Sequence, residues 1–562
     1  MLTLAVLCTV AAPGYDLLVI GGGSAGLTAA KFAARFGKSV ALIEKERLGG
    51  DCTWTGCVPS KTLIASAQRA RDARTSSEFG IGGTAAVSVD MAAIKARIGR
   101  IIGEIYDADD SPEALKKLGI DTISGSAQLL DARSVSVSSS ADGAAATVYK
   151  ANKGIVVATG ARPRPPQVAG IDSVPFLTYE QIFDLEIVPS KLTVIGGGPI
   201  GAELSQAFAR LGADVTLVAT ALVPGFEPEA ATDLAAALAA DGVTIVSARA
   251  SSVEPAGSSG HKLTCSDGTV VQGSTLLAAV GRVPVVEGLG LRELGVGFSQ
   301  STGGIEVDAK LRTSVKGVYA AGDCTGDQQF THYAGFQGAI AARNILLPLS
   351  DPGVLGGGGV PACVFTEPEI ARVGLTEAEA RAAAAKPADV AVAYRRMSKV
   401  DRAITMGVGE LGFIKIVYKP ADGTILGATC AYAREEEEAT ALQRSPLRLR
   451  LPNAGHAPCA RALLSSLSAP RSDCVSPLLR PPPRPPLRPP PSPRRVMGPS
   501  AGELIAELSV AMSGKVKLPA LASIMHAYPT VSIALQQMAA EVYYDKLEAS
   551  MPLYNVLSKL GL

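Results

Sequence analysis

Cys52 and Cys57, in the run Gly49-Gly-Asp-Cys52-Thr-Trp-Thr-Gly-Cys57-Val-Pro-Ser-Lys61, are the residues whose type and spacing point most directly to chemistry. Two thiols with four residues between them can form half a metal site, a pair of inert buried thiols, or a couple that opens and closes a disulfide. A structural zinc site needs four ligands, and no second Cys pair or His pair stands at suitable spacing. The other Cys, at 8, 265, 324, 363, 430, 459 and 474, are scattered, which is not the framework of a disulfide-stapled secreted protein. A helix is predicted to follow the pair. Its N-terminus and Lys61 both favour thiolate over thiol, which disulfide exchange and electron acceptance require. Trp54, the chain's only Trp, lies between the two Cys and reads as a packing residue.

The segment that precedes the thiols favours the redox reading. Tyr15-Asp-Leu-Leu-Val-Ile20 is a short apolar run leading into Gly21-Gly-Gly-Ser-Ala-Gly26 and then into Ala- and Leu-rich residues at helical spacing. In such a strand, turn and helix, Gly21, Gly23 and Gly26 permit a tight turn, close approach to a pyrophosphate and helix-to-strand packing. Glu44 closes the next strand, Val40-Ala-Leu-Ile-Glu44, where its carboxylate can accept from ribose hydroxyls. A second copy follows, with strand 191–195, then Gly196, Gly198 and Gly201. Its following strand, 214–218, ends in Ala219-Thr220, offering neither an acid for a 2′-hydroxyl nor an Arg for a 2′-phosphate. Two copies imply two dinucleotide-binding domains in a doubly wound α/β protein, with the thiol pair directly downstream of the first.

These motifs, with Ala158-Thr159-Gly160, Ala279-Val-Gly281-Arg282 and Ala320-Ala-Gly-Asp323, resemble those of the class I pyridine nucleotide-disulfide oxidoreductases. The thiol segment, Phe330-Thr-His-Tyr-Ala334 and Val360-Pro-Ala-Cys-Val-Phe-Thr-Glu-Pro-Glu369 are similar to the mercuric reductase-like branch. The resemblance implies an α/β fold with two Rossmann-like dinucleotide-binding domains, for FAD and NAD(P), plus a C-terminal α+β dimerisation domain. It assigns FAD to Gly21, Gly23, Gly26, Glu44, Gly125, Thr159, Gly160 and Asp323, and NAD(P)H to Gly196, Gly198, Gly201, Ala219 and Gly281. Lys61 is expected to pair with Glu203 beside the flavin. Cys57 is expected to face the flavin as a thiolate, and Cys52 to attack the substrate. The implied segments are 14–150 and 279–348 for FAD, 151–278 for NAD(P), and 360–434 with 497–548 for dimerisation.

Two departures from the family pattern bear on the substrate. The family's disulfide reductases end in a His-Pro-Thr segment with a Glu five residues after the His, whereas this chain has His526-Ala-Tyr528-Pro-Thr-Val-Ser-Ile533. Tyr528 therefore stands where the imidazole acid would be. A phenol of pKa near 10 shuttles protons poorly at pH 7, so efficient dithiol exchange is not expected. His526 reads as a packing or surface residue. A soft metal ion held by two thiolates needs no such shuttle, which favours a metal-ion acceptor over a small disulfide of the dihydrolipoamide type. True mercuric reductases also carry an N-terminal metal-binding domain and a C-terminal Cys pair, and neither is seen here.

The second departure is an insertion at 435–496. Residues 439–495 carry ten Arg, no Lys and one acid, and ten of the seventeen residues at 477–493 are Pro. Such a stretch lacks the apolar content to fold and reads as disordered with local polyproline II; it falls in what would be the dimer interface. A scaffold using this arm as a PxxP ligand is the reading from another class, which Cys52, Cys57, Lys61 and Glu203 argue against.

The whole chain has 562 residues and a net charge of +1, and no apolar run reaches the roughly 20 residues of a membrane span. Nothing in this calls for nucleic acid or a membrane as partner; a homodimer acting on a small-molecule or metal-ion acceptor is expected. Residues 1–12 are apolar without a leading basic residue, and read as a lead-in to the first strand rather than a targeting segment.

Overall fold

The computed structural model describes residues 14–82, 87–138, 146–257, 260–347, 359–407, 411–432 and 501–559. The lead-in at 1–12 and the 435–496 insertion lie outside the described residues.

The first apolar run forms strand β1 (Gly14–Ile20), in which Leu17, Leu18 and Val19 are fully buried, as a central parallel strand demands. It pairs in parallel with β2 (Val40–Glu44) on one side and β6 (Thr147–Val157) on the other, while β3 (Ile120–Ser124) extends the sheet beyond β2. Strands β4 (Ser126–Leu129) and β5 (Ser134–Ser138) continue it antiparallel past β6. The register sets Ile20 opposite Ile43, so the first Gly turn and Glu44 emerge together at the carboxyl ends of β1 and β2. Helices α1 (Ser24–Arg35), α2 (Gly50–Trp54) and α3 (Cys57–Thr75) follow. Strand β6 straddles the expected boundary at 150/151 and belongs wholly to this first sheet. Its exposed Asn152 and Lys153 interrupt the apolar pattern, and the pairing with β1 shifts register there.

The second copy forms a four-stranded parallel sheet from β7 (Lys191–Ile195), β8 (Asp214–Val218), β9 (Thr244–Val246) and β10 (Thr275–Ala278), in the order β9-β8-β7-β10. Helix α4 (Pro199–Leu211) buries Ala202, Leu204, Ala207 and Phe208. The chain then returns to the first sheet, where β11 (Val318–Ala320) pairs with β6 and leads into α5 (Thr331–Leu346).

The last domain is a five-stranded antiparallel sheet made of β12 (Ala362–Val364), β13 (Glu369–Gly374), β14 (Ala391–Arg396), β15 (Gly412–Tyr418) and β16 (Ile425–Tyr432), ordered β12-β13-β16-β15-β14. Helices α6 (Ala501–Ser513) and α7 (Ile533–Lys559) close its core, with Leu504, Leu508 and Leu535 packed among Ile414, Ile416 and Cys430. Helix α7 starts at Ile533, after a turn in which the Thr530 hydroxyl donates to the Ala527 carbonyl at 2.6 Å. Buried ion pairs join this domain to the second one. Lys415, 4% exposed, donates to Glu227 and Glu229 and lies 2.9 Å from Glu377.

Candidate active site

Cys52 sits in the short helix α2, and Cys57 opens α3. Both are free thiols, hydrogen-bonded to each other, and Cys57 Sγ lies 3.2 Å from Thr331 Oγ1 at the start of α5. The two sulphurs are unequal. The hydrogen bond from Cys52 lowers the Cys57 pKa to about 6, against the opposing effect of burial and with further help from Thr331 and Lys61. Cys52 is held far above the ordinary thiol range by its bond to Cys57 and by burial. The pair thus stores its first negative charge on Cys57.

Lys61, one turn into α3, donates to Glu203 Oε2 at 2.8 Å, and Glu203 on α4 is 6% exposed. The other Glu203 oxygen accepts the Phe365 backbone N–H at 3.0 Å, and the Phe365 ring lies under Lys61 Nζ at 4.2 Å. Elements from all three domains therefore meet beside the thiols.

A cleft of about 750 Å³ runs from Gly21, Gly23 and Glu44 past Cys52 to Thr159, Gly160 and Asp323. Its turn is built for close approach, since a Cβ at Gly26 would fall 1.8 Å from the Gly21 carbonyl oxygen. No side chain caps α1, so its first amides remain open for phosphate. Glu44 accepts from the Gly22 N–H at 2.6 Å and the Glu46 N–H at 2.8 Å, and its backbone carbonyl accepts from Gly125 N–H at 2.9 Å. Thr159 Oγ1 donates to the Val285 carbonyl at 2.6 Å. The hydroxyl of Thr55, which lines the cleft, is buried with no partner, an orphan that a bound polar ligand would satisfy. These residues fit FAD.

Arg282 spans the same cleft, bonded to Asp323 at 2.7 Å, to Asp51 and to the Tyr179 hydroxyl. Burial raises the Asp323 pKa, and Arg282 opposes that shift. The sequence shows Arg282 within a motif and Thr331 within another, but the contacts with Asp51 and Cys57 join positions more than 200 residues apart, which no spacing reveals.

The second Gly turn repeats the first: a Cβ at Gly201 would lie 1.9 Å from the Gly196 carbonyl oxygen, while one at Gly198 would meet nothing within 4 Å. Helix α4 also lacks a side-chain cap, so the open face at Gly198 fits the phosphates of a nicotinamide coenzyme. Ala219 directly follows β8, with its N–H donated to the Val246 carbonyl at 3.0 Å, and Gly281 lies beside Arg164.

Tyr528 is 66% exposed, and its hydroxyl donates to Asp401 at 3.0 Å rather than to either sulphur. His526 is not a free substitute for the missing imidazole acid. Its Nε2 lies 2.7 Å from Glu507 and its Nδ1 2.9 Å from the Ile524 carbonyl. Among the described residues no helix is long and apolar enough to cross a membrane, and no cluster of three or more His, Cys, Asp or Glu side chains is placed to hold a metal ion.

Residues 15–338 match the family model described as pyridine nucleotide-disulphide oxidoreductase, and residues 360–443 match its dimerisation domain. A dihydrolipoyl dehydrogenase of Haloarcula marismortui is 30% identical over 533 residues, covering 94% of this chain and 96% of its own. A mercuric reductase of Lysinibacillus sphaericus is 33% identical over 406 residues, 71% of each chain. The crystal structure of LpdA from Mycobacterium tuberculosis superposes with a TM-score of 0.74 at 28% identity, covering 94% of this chain and 99% of that one. The chain belongs to the pyridine nucleotide-disulphide oxidoreductase family and is an NAD(P)H-dependent flavin disulfide oxidoreductase.

Proposed function

We propose that Cys52 and Cys57 are the redox-active pair and that they hand electrons to a soft metal ion, as in a mercuric reductase. The observation that carries this reading is the Tyr528 position, where a phenol engaged with Asp401 stands in place of an imidazole acid. A thiol leaving group needs a proton, whereas a soft cation bound by two sulphurs does not.

FAD would be held by the first Gly turn, Glu44, Gly125, Thr159, Gly160 and Asp323, with NAD(P)H on the second Gly turn, Ala219 and Gly281. When bound, the flavin supplies two-electron transfer between nicotinamide and disulfide. Lys61 and Glu203 neutralise each other and fix the wall beside the thiols. Cys57 keeps the resident negative charge, and Cys52 retains its proton until a soft cation binds its sulphur and displaces that proton to solvent. Arg282 sets a positive charge between Asp51 and Asp323, where anionic phosphates must be accommodated. The segments 14–157 and 279–348 form the FAD domain of this reading, 360–434 and 497–548 the dimerisation domain.

A small disulfide of the dihydrolipoamide type is the second reading, supported by the dihydrolipoyl dehydrogenase that aligns along 96% of its own length. Anaerobic titration with NADPH and NADH, followed by turnover with Hg(II) and with lipoamide, tests both. Faster turnover of Hg(II) is expected; lipoamide turnover exceeding it would sink the metal reading. Comparable rates with the two nicotinamides are expected from the Ala219-Thr220 strand end.

A further inference from the structure

Cys57 is the first residue of α3 and Thr331 the first residue of α5, helices of 19 and 16 residues. Neither helix is capped by a side chain: Gly56 has none to offer, and Phe330 has no polar group. Two helix N-termini, each carrying partial positive charge, therefore converge on one sulphur. The Thr331 hydroxyl is not spent on its own helix: it lies 3.2 Å from Cys57 Sγ and also reaches Cys52, whose anion it favours as well.

The neighbouring charges do not explain an anionic Cys57 by themselves. Lys61, on the same helix, favours the thiolate, but it is bonded at 2.8 Å to Glu203 of α4, which disfavours it. Asp110 acts against a charge on Cys52. With the Lys61 charge largely cancelled, the groups able to donate a hydrogen bond to the sulphur decide, and there are two: the Cys52 thiol and the Thr331 hydroxyl.

We propose that Thr331 is a catalytic residue whose hydroxyl donates to the Cys57 sulphur and holds it as the thiolate. A thiolate accepts both bonds at once, so Cys52 can give up its hydrogen bond to engage an acceptor while Cys57 stays anionic on the bond from Thr331. Without Thr331, the departure of Cys52 would strip Cys57 of its last side-chain donor. The proposal rests on the redox-pair reading and is independent of which acceptor is used.

The test uses the FAD-loaded protein, reduced anaerobically by two electrons, with the long-wavelength thiolate-to-flavin absorption followed against pH. Thr331→Val preserves shape and removes the donor, and the midpoint should rise by about one pH unit, roughly a fivefold loss of thiolate at the native midpoint and about tenfold well below it. Thr331→Ser restores the hydroxyl and should return the midpoint to the native value. Iodoacetamide labelling of the same samples, mapped to each Cys by mass spectrometry, should show the acidic thiol shifting with Thr331→Val at Cys57. If Thr331→Val does not retain flavin, the same titration of Thr331→Ala decides the matter. A Thr331→Val or Thr331→Ala midpoint equal to the native one, with flavin content intact, overturns the proposal. Absence of the band from native protein at every pH would instead remove the redox-pair reading, and the proposal with it.

Discussion

At the scale of single residues, the thiol pair was legible because two Cys, a helix start and a Lys share one short run, and local spacing is what sequence records. The roles of Lys61 and Cys57 depend on partners that spacing cannot supply: Glu203 lies 142 positions away and Thr331 lies 274 away. Replacing Lys61 with Met would leave Glu203, 6% exposed, without its cation. Because Lys61 is itself about a third exposed, the expected loss is about 2 kcal/mol rather than the full cost of a buried pair. Urea unfolding monitored by flavin absorption measures it, and an unchanged midpoint would mean that water already screens the pair. The Cys57 pKa of about 6 fixes the direction of a second effect. Thiolate is present above that pH and disappears as pH falls through it, so labelling of Cys57 should drop about tenfold per unit below pH 6.

Among the elements, the strands around both Gly turns were readable from apolar runs ending in Gly. What eluded the pattern was β6, whose polar middle reads as a break, and the ion pairs that pin one domain to another. Lys415 on β15 is one of these, and it neutralises Glu227, which is 3% exposed. Lys415→Met should cost about 3 kcal/mol by leaving that carboxylate buried and unpaired, visible as a lower thermal midpoint; Glu227→Gln in the same background should recover part of it. The segment leading to α7 carries its own pH dependence. Burial pulls the His526 pKa down, but the bonds to Glu507 and the Ile524 carbonyl outweigh it and leave the pKa raised. Its charge therefore stabilises the fold at pH values below about 6.5 and ceases to as pH climbs past the raised value. The thermal midpoint should fall between pH 6 and pH 9, and Glu507→Gln should flatten that slope.

For the whole molecule, the dimerisation domain predicts an assembly of two 57.5 kDa chains, to be checked by sedimentation equilibrium. Among the described residues, strand β16 and helix α6 share one core although 68 residues separate them in the chain. Excising 437–498 should leave flavin content and assembly intact, and a monomeric product would refute this. The excision also changes the protein electrically. The +1 of the full chain sums a +9 contribution from 439–495 and −8 from the remainder, so the shortened protein should run as a distinctly acidic species on isoelectric focusing. Trp54, read from sequence as packing, does pack: it is clasped between Arg47 and Tyr106, and its indole N–H donates to the Leu48 carbonyl at 2.7 Å. It also lines the cleft proposed above to hold flavin, and it is the sole Trp of the chain. All indole fluorescence of this protein thus originates at the wall of that cleft. Emission near 340 nm overlaps flavin absorption, so radiationless energy transfer would make occupancy readable as a loss of light from a single, unengineered reporter.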